Sequence, residues 1–225
     1  MRVKVLIEGS VTNLISAYAP QTGRCEYEKE TFWDEFEDVL RAIPNSEGVL
    51  VGGGGDLNGH VGQFAGEHGR VHGGFGYGQL KAEGVSILRT CAVADLAIAN
   101  TFFQKKPQHL VTYSGGAYST QIDYLLVRRC HIGKVTNCKV IPGESLTAQH
   151  RLLVLDYAVV PKKKSVEKRK PRCLMDLNSL ISSRRSSILR SVLRMSPLKR
   201  SGAGSIQQSP LRLSASLALL VGAAP

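Results

Sequence analysis

Val49-Leu50-Val51 is apolar at every position and runs directly into Gly52 to Gly55 and then Asp56-Leu57-Asn58. A strand that alternates apolar and polar residues lines one face of a core. A strand with no polar position must be covered on both faces. Gln121-Ile122-Asp123-Tyr124-Leu125-Leu126-Val127 makes the same demand and adds one carboxylate inside an apolar frame. Further strands are expected at 95–99, 110–114, 136–141 and 152–159, after a hairpin or strand pair formed by Val3 to Ile7 and Asn13 to Ala17. Two helices interrupt them. Phe32, Phe36, Val39, Leu40 and Ile43 recur at spacings of three and four between Tyr27 and Ala42, and Pro44 ends that helix. Leu80, Ile87, Leu88 and Cys91 mark one face of a second helix from Leu80 to Ala94. Strands mixed with two helices point to a layered α/β domain.

The 225 residues are 43% hydrophobic, which suits a packed core. The net charge of +11 suggests a polyanion partner until it is divided along the chain. Residues 1–160 carry 15 Lys+Arg against 16 Asp+Glu, whereas residues 161–225 carry 14 against 2. The composition changes at Lys162-Lys163-Lys164. The expected division is therefore a domain over 1–160 and a Ser/Arg/Leu-rich basic tail over 161–225, disordered or weakly helical and not independently folded. Within the tail, Lys162, Lys163, Lys164, Lys168, Arg169, Lys170 and Arg172 form a two-part basic cluster, readable as a nuclear signal, a phosphate-contacting arm or a solvated tail. The five cysteines (25, 91, 130, 138 and 173) form no CxxC pair, which argues against a disulfide framework or zinc knuckle. Reduced thiols, no visible signal peptide and no bilayer-length apolar run give the expectation of a nuclear or cytoplasmic protein without a membrane partner.

Five places could carry chemistry. Asp56 and Asn58 follow a buried strand and a glycine run, so a carboxylate and an amide stand two residues apart where the backbone can approach a ligand. The same triplet also serves as a turn or helix cap. Asp123 is costly to bury unless it is paired; a backbone group or a histidine would do. His150 stands at the entrance of the apolar strand from Arg151. Tyr18 ends the strand from Asn13, and Thr112 lies in the expected strand 110–114. Two other patterns carry less. Gly74-Phe75-Gly76-Tyr77-Gly78 is too irregular for a dinucleotide loop. His60, His68 and His72 could meet at zinc, but they lie in a glycine-rich segment, 59–79, that reads as a surface loop.

Taken in order, Tyr18-Ala19-Pro20, Gly55-Asp56-Leu57-Asn58-Gly59-His60, Thr112, Ile122-Asp123-Tyr124 and His150 before a last strand resemble the endonuclease/exonuclease/phosphatase family. Ile15 to Pro20, the run Gly55 to His60, Val71-His72-Gly73-Gly74-Phe75-Gly76 and Val140-Ile141-Pro142-Gly143-Glu144-Ser145 resemble, in particular, the endonuclease domains of non-LTR retrotransposons and the proteins named craniofacial development protein 2-like. The resemblance covers roughly residues 11–160. It implies the C-terminal part of a four-layered α/β sandwich, a Mg²⁺-dependent phosphodiester hydrolase and a DNA substrate, with no obligate protein partner.

By that resemblance Asp56 orients or activates the attacking water. Asn58 holds the phosphate and that water. Asp123 pairs with His150, which faces the phosphate, while Tyr18 stabilises charge on the phosphoryl oxygens and Thr112 supports by hydrogen bonding. The family's metal-binding Glu and its first-half Asn have no counterpart; Glu8 lies in a turn-like context that does not match. Gln149 stands where the family has Asp. A catalytically impaired fragment is therefore the expectation. A non-catalytic nuclear or nucleic-acid-binding protein that uses the basic tail is the alternative.

Overall fold

The computed structural model describes residues 1–7, 9–52, 56–116, 118–145, 149–159 and 213–219. Its strands are β1 (Arg2–Ile7), β2 (Ser10–Ile15), β3 (Gly48–Val51), β4 (Leu96–Ile98), β5 (Tyr113–Gly115), β6 (Tyr118–Thr120), β7 (Leu126–Arg128), β8 (Val135–Ser145), β9 (Arg151–Val159) and β10 (Leu213–Leu219). The helices are α1 (Glu26–Arg41) and α2 (Ala82–Val93). A five-stranded sheet runs in the order β1-β2-β3-β7-β4, a three-stranded sheet in the order β10-β9-β8, and β5-β6 form a separate ribbon.

The period of two along the strands divides the core in two. Val49 and Val51 of β3, Leu96 and Ile98 of β4, and Leu126 of β7 face α1 and α2, where they pack with Phe36, Leu40, Ile87, Leu88 and Cys91. Leu50, Ala97 and Val127, the intervening residues, pack with Cys138, Val140, Leu153 and Leu155 of the smaller sheet. The five-stranded sheet is thus covered on both faces, as the all-apolar β3 requires.

α1 seats its apolar stripe through Phe32, Trp33 and Phe36, with Phe32 and Phe36 stacked at 5.9 Å. Val39, expected in that stripe, is instead exposed. The chain beyond α1 is held by Arg128, whose guanidinium donates to the carbonyl oxygens of Ile43, Pro44 and Glu47. These carbonyls belong to the turn between α1 and β3, so one buried guanidinium ties that connection to β7.

Four local expectations change. Within 121–127 only residues from Leu126 onward are strand, and Asp123 instead makes an isolated bridge to Asp56. Thr112 precedes β5 rather than lying in a strand over 110–114. Leu80 is outside α2, bridged to Val61 and half exposed. The glycine-rich segment is anchored, not a loose surface loop: Val61, Val71 and His72 are buried, and a Cβ on Gly76 would stand 2.0 Å from the Gly62 carbonyl oxygen.

Of the expected tail, residues 213–219 form β10, antiparallel to β9. Leu213, Ala215, Leu217 and Leu219 alternate with Ser214, Ser216 and Ala218 there, a two-residue period that the tail's overall composition hides. The rest of 161–225, including Lys162, Lys163, Lys164, Lys168, Arg169, Lys170 and Arg172, lies outside the described residues, as does Glu8.

Candidate active site

Asp56, Asp123 and His150 converge although they are distant in sequence: each offers a ligand atom, and these atoms all lie within 4.8 Å of one another. Three backbone devices bring them together. The bridge between Asp56 and Asp123 joins the end of the β3 segment to the segment entering β7. A second bridge, Tyr113 to His150, attaches the β5-β6 ribbon to the start of β9. Thr112 ties the two: its Oγ1 accepts from the backbone N–H of Ile122 and of Asp123, both at 3.1 Å, and its carbonyl accepts from the Arg151 N–H at 2.8 Å. Thr112 is fully buried, so its role is to hold the site and not to meet a ligand from solvent.

The His150 Nδ1 lies 3.2 and 3.1 Å from the two carboxylate oxygens of Asp123. This contact requires a proton on Nδ1, so the pair fixes the imidazole tautomer. The Tyr113 ring meets the His150 ring edge-on at 5.0 Å and limits its rotation. Asn58 has φ +48°, a left-handed conformation that Asn tolerates. Its N–H donates to Asp56 Oδ1 at 2.7 Å, and its side-chain Nδ2 donates to the Ala19 carbonyl at 2.8 Å. Asp56 answers through its own carbonyl, which accepts from the Ala19 N–H. Asp56, Asn58 and the Tyr18-Ala19-Pro20 corner therefore move as one unit.

Burial, and then the Asp123 charge, push the Asp56 carboxyl up to about 7, against the pull of the Asn58 N–H and of His150. The Asp123 hydrogen bond raises the His150 pKa above its ordinary value, with the nearby charges of Asp123 and Asp56 adding to it. Two carboxylates beside one imidazole thus form a site that can take a cation as Asp56 ionises and can polarise a water.

Not every expected residue joins this cluster. Tyr18 is 41% exposed, and its hydroxyl makes only a long 3.5 Å contact from Gln21. It lines an apolar groove of about 400 Å³ with Phe32 and Phe36. Gln149 is exposed, and its carbonyl accepts from the Ser114 N–H. His60, His68 and His72 do not form a metal cluster; the one such group among the described residues is Asp56, Asp123 and His150. His72 serves the fold: Nε2 donates to the Gly62 carbonyl and Nδ1 accepts from the Gly74 N–H. The sequence reading missed Asn100, which is buried against Asp123. Its signal is an amide inside the apolar run Ile98-Ala99-Asn100, the same kind of signal that marked Asp123.

No family model matches the chain. It is similar to craniofacial development protein 2 of Bos taurus, 30% identical over 168 residues that cover 71% of this chain and 28% of that protein. The same protein of Tragulus javanicus is 29% identical over 168 residues, with 71% and 29% covered. The chain thus spans under a third of the length of these relatives. Its fold is similar to that of the endonuclease domain of TRAS1, a telomere-specific non-LTR retrotransposon. The TM-score is 0.50, with 15% identity, over 69% of this chain and 61% of that one. The chain thus shares sequence with part of craniofacial development protein 2 and shares the fold of an endonuclease domain.

Proposed function

We propose that the Asp56, Asn58, Asp123 and His150 site hydrolyses phosphodiester bonds in DNA with the help of a divalent cation, Mg²⁺. The observation that carries this reading is the convergence of two buried carboxylates and a tautomer-fixed histidine beside an amide on a left-handed turn. The site residues fit such an ion in a limited way. Asp123 commits both oxygens to His150, and Asp56 Oδ1 accepts from Asn58, which leaves Asp56 Oδ2 as the readiest donor. Mg²⁺ is commonly held by one or two carboxylates together with water and substrate oxygens, so one or two protein ligands suffice to place it. Asp56, assisted by Asp123, would hold it. When bound, the ion supplies charge stabilisation at the phosphoryl oxygens and the leaving group.

The chain's own residues do the rest. Asp56 orients a water through its carboxylate. Asn58 presents its amide to a phosphate oxygen while Ala19 fixes the amide plane. Asp123 holds His150 in the tautomer that faces the phosphate. Tyr18 lies at the rim, where its phenol can reach a phosphoryl oxygen once substrate is seated. Cation binding is weak, because only three donors converge among the described residues and Gln149 adds no charge.

The reading is tested by nicking of supercoiled plasmid, with Mg²⁺ and with chelator, beside Asp56→Ala and His150→Ala. Slow, Mg²⁺-dependent nicking that either substitution abolishes is expected. Equal nicking by the wild type and Asp56→Ala would sink the reading. The alternative, a non-catalytic nucleic-acid-binding protein acting through Lys162–Lys164 and the basic residues that follow, predicts DNA binding without nicking.

A further inference from the structure

We infer that Asn100, which no known role covers, is the positioning residue that sets the Asp123 carboxylate against His150. This rests on the reading of that pair as part of a hydrolytic site. Asn100 lies in the 3₁₀ turn Ala99–Phe102 that follows β4, and it is 2% exposed. Its side-chain Nδ2 donates to the Asp123 carbonyl at 3.0 Å, and its Oδ1 accepts from the Leu125 N–H at 2.8 Å. One residue earlier, the Ala99 N–H donates to the Leu125 carbonyl at 2.8 Å.

The consequence follows from the strand ends. β4 pairs with β7 only from Ile98↔Leu126 to Leu96↔Arg128. Residues 123–125 lie just beyond this ladder, where the next strand's backbone would have taken their hydrogen bonds. A carboxamide has the same donor and acceptor as a peptide group. Asn100 therefore continues the ladder with its side chain across two buried backbone groups that would otherwise be unpaired.

The chain is free to leave the strand at Asp123 and bridge to Asp56, yet it is not free to move. Thr112 Oγ1 clamps the Asp123 N–H, and Asn100 Nδ2 clamps its carbonyl. Both sides of the Asp123 Cα are fixed, so the Cα–Cβ direction from which its carboxylate reaches His150 is fixed as well. Asn100 touches neither His150 nor Asp56 by any hydrogen bond; it acts through Asp123.

The test uses nitrogen-15 NMR of the imidazoles in the full chain, with His150 assigned by its loss in His150→Gln. The wild type is expected to show a His150 Nδ1 carrying a hydrogen-bonded proton. Asn100→Asp is close to isosteric and keeps the acceptor for Leu125 but sets an oxygen against the Asp123 carbonyl. Asn100→Ala removes both bonds. In either variant the His150 signal should shift to a mixture of tautomers, with cleavage falling about 10- to 100-fold, the range typical of outer-shell partners.

Asn13→Ala is the control for a lost buried amide. Asn13 is fully buried and donates to Gly48 and Glu47, away from the site. It should lower the unfolding midpoint while leaving the His150 signal as in the wild type. If Asn100→Ala does not fold, Asn100→Asp carries the test. An unchanged His150 signal in a folded Asn100 variant overturns the inference. A wild type that shows the signal and its dependence on Asn100 yet cleaves nothing overturns the proposed hydrolysis and leaves the positioning role standing.

Discussion

At the scale of the residue, Asp56 sets function against stability. Its carboxyl is buried beside another carboxylate, and its pKa rises to about 7 from the ordinary aspartate value of 3.8. In the unfolded chain the group titrates near the lower value. The folded state therefore binds the proton more tightly. The resulting stability is present in full below pH about 4, declines as pH rises, and is gone once pH passes about 7. His150, also raised, has the same sign above its ordinary value. Asp56→Asn removes the ionisation and keeps an acceptor for the Asn58 N–H. It should raise the unfolding midpoint by roughly 10 °C at pH 8, with the difference shrinking steadily toward pH 4, since pH-linked terms of about 1.4 kcal/mol per pH unit move a domain of this size by a few degrees each. Calorimetric melts of the two proteins across that range check it, and a constant offset at all pH values would contradict it. Asp56, Asn58, Asp123 and His150 were legible in the sequence chiefly because their order resembles that of the endonuclease/exonuclease/phosphatase family; Asp56 and Asn58 follow an apolar frame, His150 precedes one and Asp123 breaks one. Asn100 breaks one too, but a single amide after a short strand has many innocent explanations. Only the hydrogen bonds to residues 123 and 125 select among them.

At the scale of the element, the site depends on how closely α2 approaches the segment that follows Asn58. Gly84 lies in the first turn of α2, and a Cβ there would stand 1.8 Å from the His60 carbonyl oxygen and 2.4 Å from its carbon. In an open helix, Gly→Ala stabilises by about 1 kcal/mol. Here the sign must reverse, because the obstructing atoms are backbone and cannot rotate away. Gly84→Ala should cost about 2 kcal/mol or more in urea unfolding, a magnitude usual for overpacking, and should weaken Mg²⁺-dependent nicking by displacing Asn58. A stabilised Gly84→Ala would show that the helix and the segment do not touch in solution. Both helices and most strands were legible from periodicity. The shortening of β7 was not, because Ile122 to Leu125 have strand composition. They are drawn out of the ladder by side-chain groups, Thr112 Oγ1 and the Asn100 carboxamide, which hydropathy does not register. The β5-β6 ribbon was half legible: Tyr118–Thr120 is too short to show a period.

At the scale of the whole molecule, charge and layers are separate problems. The two-sided core follows from the all-apolar β3, and it fixes where the carboxylates meet. The described layers nonetheless bring no attractive field to a polyanion: residues 1–160 are net −1, and the site itself is acidic. No helix among the described residues is long and apolar enough to cross a membrane, and the positive excess, +12, lies in residues 161–225. If the site acts on DNA as proposed, the duplex owes most of its affinity to basic residues elsewhere, since duplex affinity comes chiefly from neutralised phosphates. Replacing Lys162, Lys163, Lys164, Lys168, Arg169, Lys170 and Arg172 with Gln should weaken DNA binding strongly at low salt. The slope of log affinity on log salt should flatten by about 0.9 for each phosphate that is no longer neutralised. Nicking of saturating plasmid should change far less, because none of these residues belongs to the Asp56, Asp123 and His150 group. Fluorescence anisotropy over a salt series, paired with nicking at saturation, separates the two effects. Unchanged affinity and slope would mean that the folded layers neutralise the phosphates themselves.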